Sequence, residues 1–380
     1  THRHAPKTQG RRTHASGLTA HGGASAPAAH GNLPAPVRSA IDGKSRTRGY
    51  SRRAVEADAA CHESASLTGD PLLAFSEIPI FRPLTGIHEP SAIHQLADGR
   101  FIVVEDEQRH PLSLVSVHAD HSVTSTPPQM PEASEAGGQF AALDDLEGVA
   151  VDPAGYIYAT GSHSRNSAGD ESATREKLVR FRIEGNRVIE PIVCTRLKPA
   201  LTAAHPILAA AAAIREVKQK GGLNIEALEM TPDQRQLMVG FRSPLENRRA
   251  IVAFLENPQA VFASGAEPRV ATTLATLDLE GNGIRGMAYI PSLEGYLVIG
   301  GPVAREQVQF TLWFWRGGPS DPARRVVVPG LPGFAHAEGV SPALIDGRQR
   351  IIIVSDDGSR KEGRCARFLI IDPEQLQIAS

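Results

Sequence analysis

From residue 75 onward, short runs of Val, Ile, Leu, Phe and Tyr recur along the chain. They alternate with polar residues or run continuously, and Asp-Gly, Pro-Ala-Gly or Gly-Asn turns bound them. A two-residue period with turn punctuation predicts strands and hairpins rather than helices. Self-comparison shows one phrase returning in degenerate form: Glu89-Pro-Ser-Ala-Ile, Glu147-Gly-Val-Ala-Val, Glu226-Ala-Leu-Glu-Met, Arg285-Gly-Met-Ala-Tyr and Glu338-Gly-Val-Ser-Pro. A turn follows each phrase. Second strands are then expected at 101–104, 156–160, 236–240, 296–299 and 351–354, and third strands at 178–183, 250–255, 310–315 and 366–371. The anchors lie 58, 79, 59 and 53 residues apart.

A repeated unit of three or four antiparallel strands at this period is the signature of a β-propeller blade. Five units account for the chain, so the expected fold is all-β, a propeller of five blades. A sixth would require a weak unit hidden in 118–142 or 260–279. The last unit stops after its third strand, near Asp372, and a spare apolar run sits at 75–81. That run is expected to close the last blade and leave the ring no free edge. The longest interval holds an Ala-rich stretch ending in Gly221-Gly222, read as one short helix over 206–220, inserted between blades, with a glycine stop. Trp313 and Trp315 share one strand face and are expected to pack between blades.

Residues 1–74 read differently. The first sixty hold ten Lys and Arg against three acids, with no sustained apolar period. Such a segment buries too little to offset its ordering entropy, so 1–74 is read as a basic, disordered leader and 75–380 as the propeller domain. The leader could contact an acidic partner. The whole chain of 380 residues balances 40 Lys and Arg against 42 Asp and Glu, and with 41% hydrophobic residues it is not a disordered chain overall. Five Tyr and two Trp are few for a nucleic-acid binder that stacks bases. The three cysteines, 61, 194 and 365, form no C-x-x-C and no disulfide framework. No run is apolar enough to span a bilayer. The lack of an apolar leader favours a cytoplasmic location, with export open if a leader was removed.

In a propeller the first strand of each blade lines the axis. Its leading loop and the loop between the second and third strands open on one face. Two residue sets should therefore meet there. The first is the anchors Glu89, Glu147, Glu226, Arg285 and Glu338. The second follows the second strands: Glu105-Asp106-Glu107, Ser162-His163-Ser164-Arg165, Arg242-Ser243, Gly300-Gly301-Pro302 and Asp356-Asp357. Four acids around a narrow mouth raise one another's pKa unless a cation compensates. Glu147, Glu338 and Asp356 are the candidate metal ligands, and an oxygen-only set selects Ca²⁺ or Mg²⁺ over Zn²⁺. The Arg165, Arg242 and Arg285 forks, with Glu89 and Glu226, are candidate ligand-binding residues for a small anionic molecule. His163, Glu147 and Glu338 are candidate catalytic residues, His163 as proton shuttle, with His336 a second base. The G-x-S-x-G elbow is absent, which weighs against a serine hydrolase, and the histidines around Glu89 do not have H-E-x-x-H spacing, which excludes zinc-protease chemistry.

The phrases Asp145-Leu-Glu-Gly-Val-Ala, Gly161-Ser-His-Ser, Gly240-Phe-Arg-Ser-Pro, Gly283-Ile-Arg-Gly-Met-Ala and Glu338-Gly-Val resemble an uncharacterised bacterial β-propeller family, catalogued as a domain of unknown function. More distantly they are similar to the family named for the esterase-like activity of phytase. The resemblance spans about residues 85–372 and implies a propeller, and the distant family's name implies a hydrolase. The first blade departs from it, with Glu89-Pro in place of Glu-Gly. The function expected is hydrolysis of a small anionic ester, phosphoester or lactone at the channel mouth, assisted by a divalent cation. The competing class is a non-enzymatic propeller that binds a small ligand or a protein.

Overall fold

The computed structural model describes residues 78–106, 110–132, 135–304, 309–334 and 336–380. The basic leader, 1–74, and the first residues of the expected closing strand, 75–77, lie outside them.

The first strand, β1 (Arg82–Pro83), belongs to the last sheet. Blade 1 holds β2 (Pro90–Gln95), β3 (Phe101–Glu105), β4 (Leu112–Val117) and β5 (Val123–Thr126). Blade 2 holds β6 (Leu146–Val151), β7 (Ile157–Gly161), β8 (Leu178–Glu184) and β9 (Arg187–Cys194). Blade 3 holds β10 (Asn224–Met230), β11 (Leu237–Ser243), β12 (Ala250–Leu255) and β13 (Ala275–Leu277). Blade 4 holds β14 (Gly283–Ile290), β15 (Gly295–Gly301), β16 (Thr311–Trp315) and β17 (Arg324–Val327). Blade 5 holds β18 (Ala337–Ile345), β19 (Arg348–Ser355), β20 (Arg367–Ile371) and β1. The C-terminal β21 (Gln377–Ile378) returns to the outer edge of blade 4, with Ile378 opposite Val326. The fold is thus a five-bladed propeller.

Closure differs in register from the expectation. The pairing residues are Arg82 and Pro83, opposite Phe368 and Arg367, just after the apolar run rather than within it. Leu84 N donates to Ala366 O at 2.7 Å and Ala366 N to Ile87 O at 2.8 Å, continuing the seam. Phe81 packs onto the blade 4–5 core and lies under the Arg367 guanidinium at 5.5 Å.

The interior is divided by blade. Among the described residues there are five apolar clusters, one at each blade interface. Trp313 and Trp315 lie in the cluster between blades 3 and 4, as their shared strand face predicts. Helix α1 (Glu135–Ala141) inserts Phe140 between blades 1 and 2, edge-on to Phe181 at 5.1 Å. The expected single helix over 206–220 is instead two pieces, α3 (Pro206–Ala212) and α4 (Val217–Lys220), and a further helix, α2 (Leu197–Ala204), precedes them. Pro206 starts α3 where its missing N–H costs nothing. The Ala211 carbonyl then accepts from Ile214 and Leu223, which turns the chain out of the helix toward β10. Gly221, at φ 69°, caps α4 in the left-handed region, which is the glycine stop the sequence signals. Helix α5 (Pro258–Ser264) packs Val261 and Phe262 against blades 2 and 3. No described helix is long and apolar enough to cross a membrane.

The inner strands β2, β6, β10, β14 and β18 pack around the axis, each against the next. With only five blades they approach closely, so one register position is small in every blade: Ala92, Gly148, Ala227, Gly286 and Gly339. A Cβ on Gly286 would sit 2.0 Å from Glu338 O, and one on Gly148 would sit 2.8 Å from Leu228 N. The axis is left with a void of about 10 Å³, room for roughly one water. Chemistry is therefore confined to the ends of the channel.

Candidate functional site

At one end of every inner strand the pairing slips by a residue, between Pro90 and Ala92, Leu146 and Gly148, Ile225 and Ala227, Ile284 and Gly286, and Ala337 and Gly339. The bulged residues are Ser91, Glu147, Glu226, Arg285 and Glu338. A bulge re-aims its side chain out of the pleat, and five in a ring re-aim five side chains at one mouth. Four of the five expected anchors fall on this position. Glu89 does not. It lies two residues earlier, in the register shared by Asp145, Asn224, Gly283 and His336, and the proline in its phrase had shifted the comparison. The loops after the second strands join the same end: Asp106 N donates to Glu89 O at 3.0 Å, Ser162 N to Asp145 O at 2.9 Å and Asp356 N to His336 O at 2.7 Å.

Arg285 bridges its two neighbours in the ring. Its guanidinium forks onto both oxygens of Glu338 and meets Glu226 at 2.8 Å. The three side chains are 11%, 6% and 2% exposed, so the bridge is buried. Gly301 makes room for the Arg285 stem, which a Cβ there would approach to 2.6 Å. Arg242 also spends itself locally, on Glu226 at 3.1 Å and on the Pro302 carbonyl at 3.1 Å. Burial pushes the Glu338 carboxyl above the ordinary range in spite of Arg285. Arg285 itself is desolvated, yet Glu226 and Glu338 hold its pKa above the usual arginine value, so it stays charged.

Glu147 is different. Among the described residues its carboxylate takes part in no hydrogen bond and no ion pair. Burial first, then the charges of Glu226, Asp145 and Asp106, push its pKa well above the ordinary value. Asp145, at φ 57°, is held from behind. Ser162 Oγ donates to its Oδ2, Ser164 Oγ reaches the same oxygen at 3.5 Å, and Arg175 pairs with it at 3.1 Å. The Gly161-Ser-His-Ser phrase is thus a cradle for Asp145. Carboxylate oxygens of Asp106, Asp145 and Glu147 all lie within 4.8 Å of one another. A hard cation with ligands at 2.3–2.6 Å spans oxygen pairs up to about 5 Å apart, so the three fit around one ion.

This cluster overlaps the expected metal set only at Glu147. Glu338 is committed to Arg285, and Asp356 lies across the mouth, near Glu89 and His336. Asp356 is exposed at the rim, and partial desolvation pushes it up to about 6. Asp106 was expected at the mouth among the residues after the second strands but not as a ligand, and Asp145 was missed because the comparison was aligned on Glu147, two residues later. The available signal was the two-residue offset between Asp145 and Glu147, matched by Glu89 before Ser91.

His163 is fully buried. Its Nε2 meets Thr160 Oγ1 at 3.2 Å, and burial, then Lys198, lowers its pKa to about 3. A neutral imidazole with those neighbours is not placed to carry protons to the mouth. Arg165 is turned to the helical insert, donating to Ala212 O at 3.0 Å and pairing with Glu171 at 3.3 Å. His336, at φ 59°, lies beside Phe310. Of the three guanidiniums expected to receive an anion, two are neutralised by glutamates and the third lies against the insert.

No protein-family model matches the chain, so the resemblance drawn above rests on its phrases alone, and no curated protein matches it in sequence. Solved structures match in shape. An oxidoreductase described as a glucose dehydrogenase, from Thermus thermophilus, is 16% identical at a TM-score of 0.40, covering 77% of this chain and 100% of that one. The PQQ domain of a pyranose dehydrogenase from Coprinopsis cinerea is 10% identical at 0.41, covering 77% and 95%. A gluconolactonase from Xanthomonas campestris is 11% identical at 0.35, covering 80% and 86%. Likeness at this level assigns no activity to the present chain.

Proposed function

We propose that the channel mouth is a divalent-cation centre serving a hydrolase of small esters or lactones. The observation that carries this reading is Glu147, a desolvated carboxylate without a partner among the described residues, within 4.8 Å of the Asp106 and Asp145 oxygens. Asp106, Asp145 and Glu147 would hold Ca²⁺ or Mg²⁺, and such an ion supplies Lewis-acid and water-activating chemistry when bound. Arg175, Ser162 and Ser164 orient Asp145. The buried Arg285 bridge holds Glu226 and Glu338 in place beside it. Asp356, at about 6 and open to solvent, is placed to take up or release a proton at neutral pH.

The test is a thermal melt of the full chain against millimolar Ca²⁺ and Mg²⁺, with an ester and lactone panel read with and without chelator. A cation present at about a hundred times its Kd should add about 2.7 kcal/mol of stability. Glu147→Gln and Asp145→Asn should each abolish that gain and any chelator-sensitive turnover. A melting temperature indifferent to both cations would refute the centre. A cation response without turnover would favour the ligand-binding propeller instead.

A further inference from the structure

On the face away from the mouth, a groove of about 740 Å³ opens between blade 5 and the β4–β5 turn of blade 1. Its volume is that of a ligand cleft. Phe368 and Ile370 of β20 line it, and so do Ile78 and Ile80, which are 68% and 54% exposed. Contiguous exposed apolar surface marks a place of contact. The rim carries charge. Arg350 is paired with Asp372 at 2.9 Å, whereas the exposed Arg348 side chain makes no hydrogen bond or ion pair among the described residues. The ladder also stops here. β20 runs Arg367–Ile371, but β1 covers only Arg367 and Phe368, and no described strand pairs with its outer edge beyond them. Continuing that register would set Pro79 opposite Ile371, where it has no N–H to donate.

The chain that leads into the groove supplies its occupant. Glu77 directly precedes Ile78, which lines the groove. The stretch Asp70-Pro-Leu-Leu-Ala-Phe-Ser-Glu77 is apolar at Leu72, Leu73 and Phe75 and acidic at both ends, so it complements the isoleucines and the arginine alike. The first sixty residues, with ten Lys and Arg against three acids, complement neither. We infer that residues 70–77 dock in this groove, with the Leu72, Leu73 and Phe75 side chains covering Ile78, Ile80 and Ile370 and the Asp70 and Glu77 carboxylates balancing Arg348. The ring is then closed twice, by the β1 ladder and by this segment beside it. The apolar run before β1 acts by packing rather than as a paired strand, and the domain begins at Asp70 rather than at Phe75. The docked segment and the cation centre lie at opposite faces, so neither depends on the other.

The test is limited chymotrypsin digestion of the full-length protein, with the cuts mapped by mass spectrometry. Cleavage tracks the population of the open form, so a docked segment is cut slowly. Cuts after Tyr50 and Leu67 should form at least about tenfold faster than cuts after Leu72, Leu73 and Phe75. Arg348→Glu and Ile80→Asp, both at exposed positions, should each bring the two rates together, with circular dichroism showing that the blades stay folded. Equal rates in the wild type overturn the inference. So does protection that both variants keep, since the segment then lies elsewhere. Protection lost on dilution, together with a dimer-to-monomer change in light scattering, would give the groove to a second copy and overturn it as well. The wild-type comparison stands even if a variant fails to fold.

Discussion

Replacing Arg285 with alanine removes the one cation shared by two anchor glutamates. In the native ring Glu226 keeps a second partner, Arg242 at 3.1 Å, but Glu338 has no other cation among the described residues. The side chains involved are 2–11% exposed, so solvent screening offers little relief. Breaking a buried pair from one side costs about 3–5 kcal/mol, and protonation of Glu338 caps the loss, so about 3 kcal/mol is its upper bound. The cap makes the effect pH-dependent. Burial already raises the Glu338 pKa, and loss of Arg285 raises it further. Variant and wild type both keep the proton below the wild-type value, and only the variant keeps it above. The gap between them should therefore be small at about pH 5 and widen above the wild-type value of about 8 by at most about 1.4 kcal/mol per pH unit, reaching about 1.4 kcal/mol at about pH 9. Urea unfolding followed by tryptophan fluorescence reads this directly, since Trp313 and Trp315 are both buried between blades 3 and 4. The double variant Arg285→Met with Glu338→Gln should recover most of the loss, because an uncharged pair of similar volume needs no compensation. An Arg285→Ala protein within about 0.5 kcal/mol of wild type at both pH values would show that the bridge bears no load.

Three further outcomes are expected. Gly286→Ala places a Cβ 2.0 Å from Glu338 O; it should cost about 2 kcal/mol or more in a urea melt, and a neutral result would mean that the inner ring is loose. Glu229, 5% exposed, accepts from Met230 N at 2.7 Å and Tyr289 N at 3.1 Å, and burial raises it to about 7. Its folded pKa lies above the ordinary 4.5, so the folded protein holds the proton more tightly. Stability should then fall by up to roughly 3 kcal/mol as pH rises through 7, and Glu229→Gln should flatten that slope. Deleting residues 1–70 should leave the melting temperature nearly unchanged, whereas deleting 71–83 removes β1 and should lower it sharply; equal effects would defeat the closure.

The architecture was legible because it is local and repeated. Strand alternation, turns and a phrase recurring at intervals of 53–79 residues carry the blades, their number and the need for a closing strand. The side-chain partners were not legible, because contacts between blades leave no trace in the spacing. Proline in the Glu89 phrase hid the bulge that makes Ser91, not Glu89, the equivalent of Glu147. The phrase around His163 looked catalytic, yet folding buried the imidazole and left its serines holding Asp145. Arg285 stood out as the one basic anchor, but only the ring shows that it bridges Glu226 and Glu338 and so is spent. The cluster of Asp106, Asp145 and Glu147 draws on two blades and a loop, so no window of sequence contains it. Local propensity and periodicity act over a few residues and decide the strands. Which charges lie in low dielectric, and beside which partner, is decided by distances that exist only once five blades have closed around an axis.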